Sequence, residues 1–285
     1  MKKNLSASIR ARLLGKAKSE NLDFSLLLTR YALERLLYRL SISKHGRHFV
    51  LKGALLFDLW FDMPLRPTRD IDLLGFGLAE LPLVTSTFED ICSVDVEDGM
   101  YFDSQSVYAE EIRKEANYAG IRIKLIGTLD AARCAIQVDI GYGDAITPNP
   151  ETAHYPVIFP ELPAPQLQVY PRYTVAAEKL EAIISLGMAN SRMKDYFDLW
   201  VLLSRTDLDD KILGDAIEAT CTRRGTFKPK GTPLGLGSEF GNDPQKNRQW
   251  LSFIKKNQLE APELPTIVAM LADRLVPLLR NNAPL

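Results

Sequence analysis

Two aspartates, Asp70 and Asp72, stand one residue apart in the stretch RDIDLLGF, whose apolar residues are typical of a β-strand. Side chains two positions apart on a strand point to the same face, so the two carboxylates lie side by side. Two like charges so placed need a cation between them. Mg²⁺ suits them because it prefers hard oxygen ligands and completes its shell with phosphates and water. With Ile71 and Leu73 on the opposite, buried face, the pair predicts a rigidly held magnesium site.

A third acid, Asp139, stands between Val138 and Ile140 in the alternating stretch IQVDIGYGD. An unpaired charge is costly in such a strand, so this acid is expected to have a partner or a metal ion. On an adjacent strand it would complete a site for two magnesium ions, which lower the pKa of an attacking hydroxyl and neutralise a triphosphate. In-line displacement at an α-phosphate requires both effects. The three acids therefore predict transfer of a nucleotide from a nucleoside triphosphate to an acceptor.

Two further positions have both a functional and a structural interpretation. Gly53 precedes a predicted helix, where it either lets the backbone approach a phosphate or simply makes a turn. Lys179 lies on a predicted amphipathic helix, where it either reaches phosphates or is a solvated surface lysine. The spacing alone leaves both alternatives open at both positions.

A second acidic pair, Asp195 and Asp198, stands three residues apart in RMKDYFDL. At that spacing the two acids either favour the start of a helix or pair with Arg192 and Lys194. A catalytic role for them does not follow from the spacing.

Helical spacing of apolar residues predicts two helices at the start of the chain, over residues 5–17 and 22–41. A strand or loop, a helix, a turn and a strand then follow over residues 49–76, with a further helix over 79–91. Three segments alternate apolar and polar residues as half-buried strands do, namely 101–113, 119–129 and 133–144. We therefore expect a mixed sheet with flanking helices in an N-terminal lobe.

The proline-rich stretch from Pro148 to Pro171 is expected to interrupt regular structure and to separate two lobes, residues 1–155 and 156–285. Helical periodicity then returns in five segments, 174–192, 194–205, 208–225, 243–257 and 265–280. The Gly- and Pro-rich stretch 225–243 is expected to be an exposed loop. The predicted fold class is α+β, with a mainly helical C-terminal lobe.

Composition narrows the class of protein. The 285 residues are 46% hydrophobic with a net charge of −1, so the chain can bury a core and has no overall field that attracts nucleic acid or membrane. Its three cysteines are far apart and lack histidines at zinc-ligand spacing, which argues against disulfides and zinc sites. Neither a signal peptide nor an apolar run of about 18 residues is evident. We therefore expect a cytoplasmic protein that is neither secreted nor membrane-spanning.

Four ordered segments together resemble the AbiEii/AbiGii-type nucleotidyltransferase toxins, namely FVLKGALLFDLW, RPTRDIDLLGFG, IQVDIGYGD and AEKLEAIISLGMANSRMKDYFDLWVL. Two later segments, TFKPKGTP and QWLSFIKK, match more loosely. This family, which includes the MenT toxins, belongs to the DNA polymerase β-like nucleotidyltransferase superfamily. The resemblance extends over most of the chain and implies the α/β nucleotidyltransferase fold.

The resemblance also implies a role for individual residues. The implied catalytic residues are Asp70, Asp72, Lys179 and Asp195, the implied metal ligands are Asp70, Asp72 and Asp139, and the implied nucleotide-binding residues are Gly53, Thr68, Arg69 and Lys179. Thr68 matches a small hydroxyl residue two positions before the first acid. Where related chains often have Gly-Gly or Gly-Ser, this chain has Gly53-Ala54. That departure removes a side-chain hydroxyl contact to phosphate and leaves a backbone contact.

Characterised members of the family are toxins of type IV toxin–antitoxin pairs, and several add nucleotides to the 3′ end of tRNA and so halt translation. The resemblance therefore implies two magnesium ions, a nucleoside triphosphate, a tRNA acceptor and an AbiEi-like antitoxin encoded nearby. Candidate RNA contacts are the basic stretches at the start of the chain, at Arg66 and Arg69, and over residues 222–230. Two alternatives stay open: transfer to a small molecule or a protein side chain, and a catalytically silent binding module, which the intact acids disfavour.

Overall fold

The computed structural model describes residues 2–61, 67–113 and 119–281. The chain forms two compact units, Met1–Gly143 with Glu151–Val169, and Asp144–Pro150 with Tyr170–Leu285. The sequence suggests a single boundary after residue 155. In the structure each unit consists of two separate segments, because the chain passes into the second unit at residue 144, returns to the first at residue 151, and leaves it again after residue 169. Arg66 lies outside the described residues.

One sheet organises the first unit. Its strands are β1 (Phe49–Lys52), β2 (Asp70–Gly75), β3 (Met100–Arg113), β4 (Ala119–Leu129), β5 (Ala132–Tyr142), β6 (Glu151–His154) and β7 (Gln166–Val169). Within the described residues these seven strands follow the order β3-β4-β5-β2-β1-β7-β6. The pairs β2/β5 and β1/β7 are parallel, and the other neighbours are antiparallel. The predicted mixed sheet is confirmed.

Side-chain alternation explains why one face of this sheet is polar. On β5 the side chains of Ile136, Val138 and Ile140 are at most 2% exposed and pack into the core. Because neighbouring side chains on a strand point to opposite faces, Gln137 and Asp139 lie on the other side. The sequence of β5 therefore separates a core face from a face that can hold charged groups.

Four helices accompany the sheet in the described part of the first unit, namely α1 (Lys2–Ser19), α2 (Phe24–Ile42), α3 (Leu55–Phe61) and α4 (Leu81–Cys92). Helix α2 begins after Asp23, whose carboxylate accepts a hydrogen bond of 2.8 Å from the Leu26 amide. Leu33 and Leu37 of this helix are buried. The two predicted N-terminal helices are therefore present, close to their predicted bounds.

The second unit is helical in its described residues. Its helices are α5 (Arg172–Leu186), α6 (Met193–Arg205), α7 (Asp210–Arg224), α8 (Ser238–Asn242), α9 (Pro244–Asn257) and α10 (Leu264–Asn281). Asp209 and Asp243 cap α7 and α9 by accepting hydrogen bonds from the third residue beyond each. Helix α5 ends earlier than predicted because Gly187 adopts a φ of +48°, which breaks the helical backbone. The mainly helical C-terminal lobe is confirmed.

Two predicted irregular segments are wrong in part. The proline-rich stretch contains β6 and β7, because the segment Gln166–Val169 pairs with β1 despite the prolines around it. The stretch 225–243 contains α8 and is not uniformly exposed, since Leu236 and Phe240 are buried. Tyr196 stacks on Phe240 with ring centroids 5.0 Å apart and donates a hydrogen bond of 2.8 Å to the Gly235 carbonyl. Packing of two apolar residues thus overrides the glycine and proline content.

Among the described residues, none of the helices has both the length and the apolar character needed to cross a membrane. The three cysteines are all buried, and none of them is bonded to another: Cys92, Cys134 and Cys221.

Candidate active site

The first two acids lie on β2, between β1 and β5. Ile71 and Leu73 are 1% exposed on the core face, whereas Asp70 and Asp72 are half-buried on the opposite face. The structure thus places both carboxylates on the same face of a central strand, as their spacing predicts. Ladders to both neighbours limit the movement of that strand.

A row of charged residues crosses the sheet at the level of Asp72. In the strand register, Lys52 of β1 lies opposite Asp72, Asp72 opposite Asp139 of β5, and Asp139 opposite Arg122 of β4. Glu110 of β3 continues the row beyond Arg122. Cation and anion therefore stand at neighbouring positions except where Asp72 meets Asp139. The third acid is beside the first pair, as the sequence suggests. We call Asp70, Asp72 and Asp139 the carboxylate face.

Asp139 has a cationic partner that sequence reasoning missed. The Arg122 guanidinium donates to both of its oxygens, at 2.8 Å and 2.9 Å, and the Gln137 amide donates to one of them at 3.2 Å. The hydrogen bonds to this carboxylate raise the pKa of Arg122 above its ordinary value. The alternation in AGIRIKLIG does place Arg122 on the polar face, but it does not say which acid the residue meets.

Gly53 lies against the carboxylate of Asp72. Its φ is +78°, and a Cβ at this position would stand 2.3 Å from the Asp72 Oδ2 atom. Any other residue would therefore strain the backbone and displace the acid. The following helix α3 has seven residues. A glycine is thus required at position 53 to leave room for the Asp72 carboxylate, a requirement that the sequence could not reveal. Its nucleotide-binding role stays a prediction.

Thr68 and Arg69 flank the first acid. The Thr68 hydroxyl donates a hydrogen bond of 2.7 Å to Asp70 Oδ1, which orients that carboxylate. Arg69 is exposed. The contact to Asp70 gives Thr68 a positioning role, and direct contact of either residue with a nucleotide stays a prediction.

The second unit holds its own cluster of ionised side chains, which we call the lysine cluster: Lys179, Arg192, Asp195 and Asp198. Lys179 Nζ on α5 is 3.2 Å from Asp195 Oδ1 and 2.6 Å from Asp198 Oδ2, both on α6. The two acids are 1% exposed, and the lysine side chain is 12% exposed. Lys179 is therefore not the solvated lysine that its helical position allows.

Arg192 joins the cluster from the residue that precedes α6. Its Nε atom is 2.7 Å from Asp195 Oδ2. Among the described residues no well-aligned hydrogen-bond donor reaches that oxygen, so the contact is an ion pair rather than a hydrogen bond. Asp195 also lies in the first turn of α6, where a negative charge is favourable. The spacing leaves a helix start and a pairing with Arg192 open as alternatives, and the structure has both, whereas a catalytic role for Asp195 stays a prediction.

The donor set on the first unit suits one magnesium ion. Asp70 and Asp72 offer hard oxygen ligands on one face, and Mg²⁺ is usually bound by one or two carboxylates together with substrate phosphates. Among the described residues, no three acids, histidines or cysteines stand close enough to form a metal-holding group. Both oxygens of Asp139 accept hydrogen bonds from Arg122. The arrangement with two ions and three acids stays a prediction.

Two solved structures share the fold. JHP933 from Helicobacter pylori is 14% identical, covers 91% of this chain and 94% of its own, and superposes with a TM-score of 0.52. A candidate nucleotidyltransferase from H. pylori is 15% identical, covers 91% and 97% of the two chains, and gives a TM-score of 0.51. At this identity the likeness establishes the fold alone. A search of curated proteins gives no match.

The family model described as nucleotidyl transferase AbiEii toxin, type IV toxin–antitoxin system, matches residues 35–273. The matched range includes the carboxylate face and the lysine cluster, and it identifies the chain as a nucleotidyltransferase. The chain belongs to the AbiEii toxin family. The resemblance carried by the four ordered segments is confirmed.

Proposed function

We propose that this chain transfers a nucleotide from a nucleoside triphosphate to the 3′ end of tRNA, depends on magnesium, and thereby inhibits translation. The observation that carries the proposal is the carboxylate face, where Asp70 and Asp72 share one side of β2 and Asp139 lies beside Asp72. Membership of the AbiEii family supports both the nucleotidyltransferase chemistry and the toxin role.

In the proposed reaction, the terminal hydroxyl oxygen of the acceptor attacks the α-phosphorus. A P–O bond to the acceptor forms, the bond between the α-phosphorus and the bridging oxygen to the β-phosphate breaks, pyrophosphate leaves, and the hydroxyl proton passes to water. Magnesium held by Asp70 and Asp72 would neutralise the triphosphate and lower the pKa of the attacking hydroxyl.

The surrounding residues of the first unit position these acids. Thr68 orients the Asp70 carboxylate through its 2.7 Å hydrogen bond, and Gly53 leaves the space that the Asp72 carboxylate occupies. Arg122 holds Asp139 in a bidentate pair, which lowers repulsion within the carboxylate face. A site preorganised in this way places charge before the substrate arrives.

We assign Lys179 to binding of the triphosphate, on the family match and on its ammonium group. Asp195 and Asp198, both buried, accept hydrogen bonds from that ammonium and point it in one direction. In this assignment the two acids are positioning residues. The partner proposed for the chain is an AbiEi-like antitoxin, which the type IV toxin–antitoxin family suggests.

The test incubates purified protein with total tRNA, magnesium and each α-labelled nucleoside triphosphate in turn. We expect label at the tRNA 3′ end with wild type, and none with Asp70→Asn or when magnesium is chelated. The matched control is Asp215→Asn, which removes one exposed carboxylate of the second unit. Label on a small molecule or on protein, with none on tRNA, would overturn the proposed acceptor. Equal labelling by wild type and Asp70→Asn would overturn the site.

A further inference from the structure

A groove of about 580 Å³ lies wholly within the second unit, between the residues at the start of α6 and one face of α9. Four of the residues that line it are cationic: Arg192, Lys194, Arg248 and Lys256. In the described part of the chain no acidic side chain lines it. Arg192 also pairs with Asp195, so the other three cations give the groove a local positive charge on a chain whose net charge is −1.

Buried contacts hold the two walls of this groove together. Lys246, on the inward side of α9, donates a hydrogen bond of 2.8 Å to the carbonyl of Asn190, just before α6. The ring of Phe253 packs against Phe197 of α6 with centroids 5.9 Å apart. The groove is thus built on packed helices, so its cations have a defined spacing.

The cationic wall extends along α9. Gln245, Arg248, Ser252 and Lys256 recur at intervals of three and four residues, which places them on one side of the helix. All four are exposed. From Gln245 to Lys256 the rise is about 16 Å at the usual 1.5 Å per residue. A row of this length exceeds a single phosphate group and suits a chain of phosphates.

One polar group in the groove has an unmet hydrogen-bonding need. The amide oxygen of Gln249 is buried and has no donor among the described residues. The terminal torsion of a glutamine is soft, so a small rotation would turn that oxygen toward a ligand. A ribose 2′-hydroxyl is a suitable donor.

These groups favour nucleic acid over protein as the occupant. Arginine, lysine, glutamine and serine side chains are the usual contacts of phosphate and sugar. A protein interface usually has an aromatic or aliphatic anchor at its centre. The one aromatic ring that lines this groove in the described residues, Phe253, is already packed against Phe197 and Trp250.

We propose that this groove, the cationic groove, binds the sugar–phosphate backbone of the RNA acceptor. This inference rests on the proposed function, because RNA is the acceptor there. Arg248 and Lys256 contact phosphates from α9, and Arg192 and Lys194 do so from the start of α6. The net charge of the chain does not reveal this surface, because the cations are concentrated locally.

The test compares two double variants of equal charge change. Arg248→Gln with Lys256→Gln removes two cations from the cationic groove. Lys211→Gln with Lys255→Gln removes two exposed cations of the second unit that do not line it. Binding of fluorescent total tRNA is followed by anisotropy over a series of salt concentrations, and transfer of labelled nucleotide is measured in parallel.

We expect the groove variant to bind tRNA about tenfold or more weakly, and the slope of log affinity against log salt to become shallower by about two. The KM for tRNA should rise while kcat changes little, and the control variant should behave as wild type. Equal losses in both variants, or unchanged tRNA binding in the groove variant, would overturn the proposal.

Two further outcomes separate this inference from the proposed function. If wild type binds tRNA through the groove but transfers no nucleotide to it, the groove is supported and the proposed reaction fails. If the groove variant binds tRNA normally and loses affinity for the antitoxin protein, the surface is a protein-binding site and the inference is wrong.

Discussion

The carboxylate face and the lysine cluster neutralise their acids in different ways. On the sheet, one guanidinium pairs with one carboxylate, and the Arg122 side chain is 30% exposed. In the helical unit, the Lys179 ammonium is shared by two acids whose side chains are at most 2% exposed, and Arg192 also pairs with Asp195. Asp139 is itself only 5% exposed, but the other two acids of the carboxylate face are half-buried, so water reaches that face more easily than it reaches the two acids between α5 and α6. The first region therefore leaves two carboxylates within reach of solvent, whereas both acids of the second belong to the packed interior.

The largest expected effect comes from Asp72→Asn. This change removes a charge from the carboxylate face without opening a cavity, so the melting temperature should stay close to that of wild type. Metal-assisted charge stabilisation is worth several kcal/mol, so the initial rate of nucleotide transfer should fall on the order of a thousandfold. Asp215→Asn is the control. A variant that keeps most of its activity would remove Asp72 from the site.

Lys179→Met should affect stability as well as activity. It leaves Asp195 and Asp198 buried with one fewer cation, and breaking a buried ion pair costs about 3–5 kcal/mol in the free energy of unfolding. Urea denaturation measures this cost. Lys211→Met, at an exposed position of α7, should be close to neutral.

A second substitution sharpens the interpretation of Lys179. Adding Asp198→Asn to Lys179→Met removes one of the two buried carboxylate charges that lose the lysine. The double variant should therefore recover part of the lost stability, while nucleotide transfer stays low. If Lys179→Met unfolds at the wild-type urea concentration, the lysine cluster contributes nothing to the fold and the contrast between the two regions is wrong.

Gly53→Ala should have an intermediate effect in the first region. The added Cβ meets Asp72 Oδ2 at 2.3 Å and the backbone has a positive φ, so we expect a cost of about 2 kcal/mol and a large loss of transfer. Gly225→Ala is the matched control, because its φ is +65° with no atom within 4 Å of the added Cβ. The control should lose only about 1 kcal/mol and no activity. Equal activity in the two variants would show that crowding of Asp72 does not matter.

Local pattern was sufficient for the features that depend on one segment. The alternation in RDIDLLGF places Asp70 and Asp72 on one face, and the strand of Asp139 follows from the same period of two. The helical segments of the second unit also follow from spacing within each segment. In each case the side chains that decide the structure lie within a few residues of one another.

Features that depend on distant partners could not be predicted in this way. Strand β7 forms because it pairs with β1, which lies more than a hundred residues earlier in the chain. The prolines around β7 predict an irregular segment, and nothing in the local sequence indicates the pairing. The contact of Arg122 with Asp139 requires knowing that β4 lies beside β5 in a particular register. The need for a glycine at position 53 likewise becomes evident only once Asp72 is known to lie against it.

Arg122→Gln should produce the smallest change and the most informative one. The Arg122 side chain is 30% exposed but that of Asp139 is only 5% exposed, and Gln137 still donates to this carboxylate, so the loss of the pair should cost about 1–2 kcal/mol of stability without magnesium. Because Arg122 then no longer occupies the Asp139 oxygens, added magnesium should raise the melting temperature more in the variant than in wild type. Lys124→Gln is the control, since it removes a cation that pairs with Glu110 on the same sheet. A magnesium shift equal to that of wild type would show that Asp139 does not take part in binding the metal, and that the carboxylate face holds its ion through Asp70 and Asp72 alone.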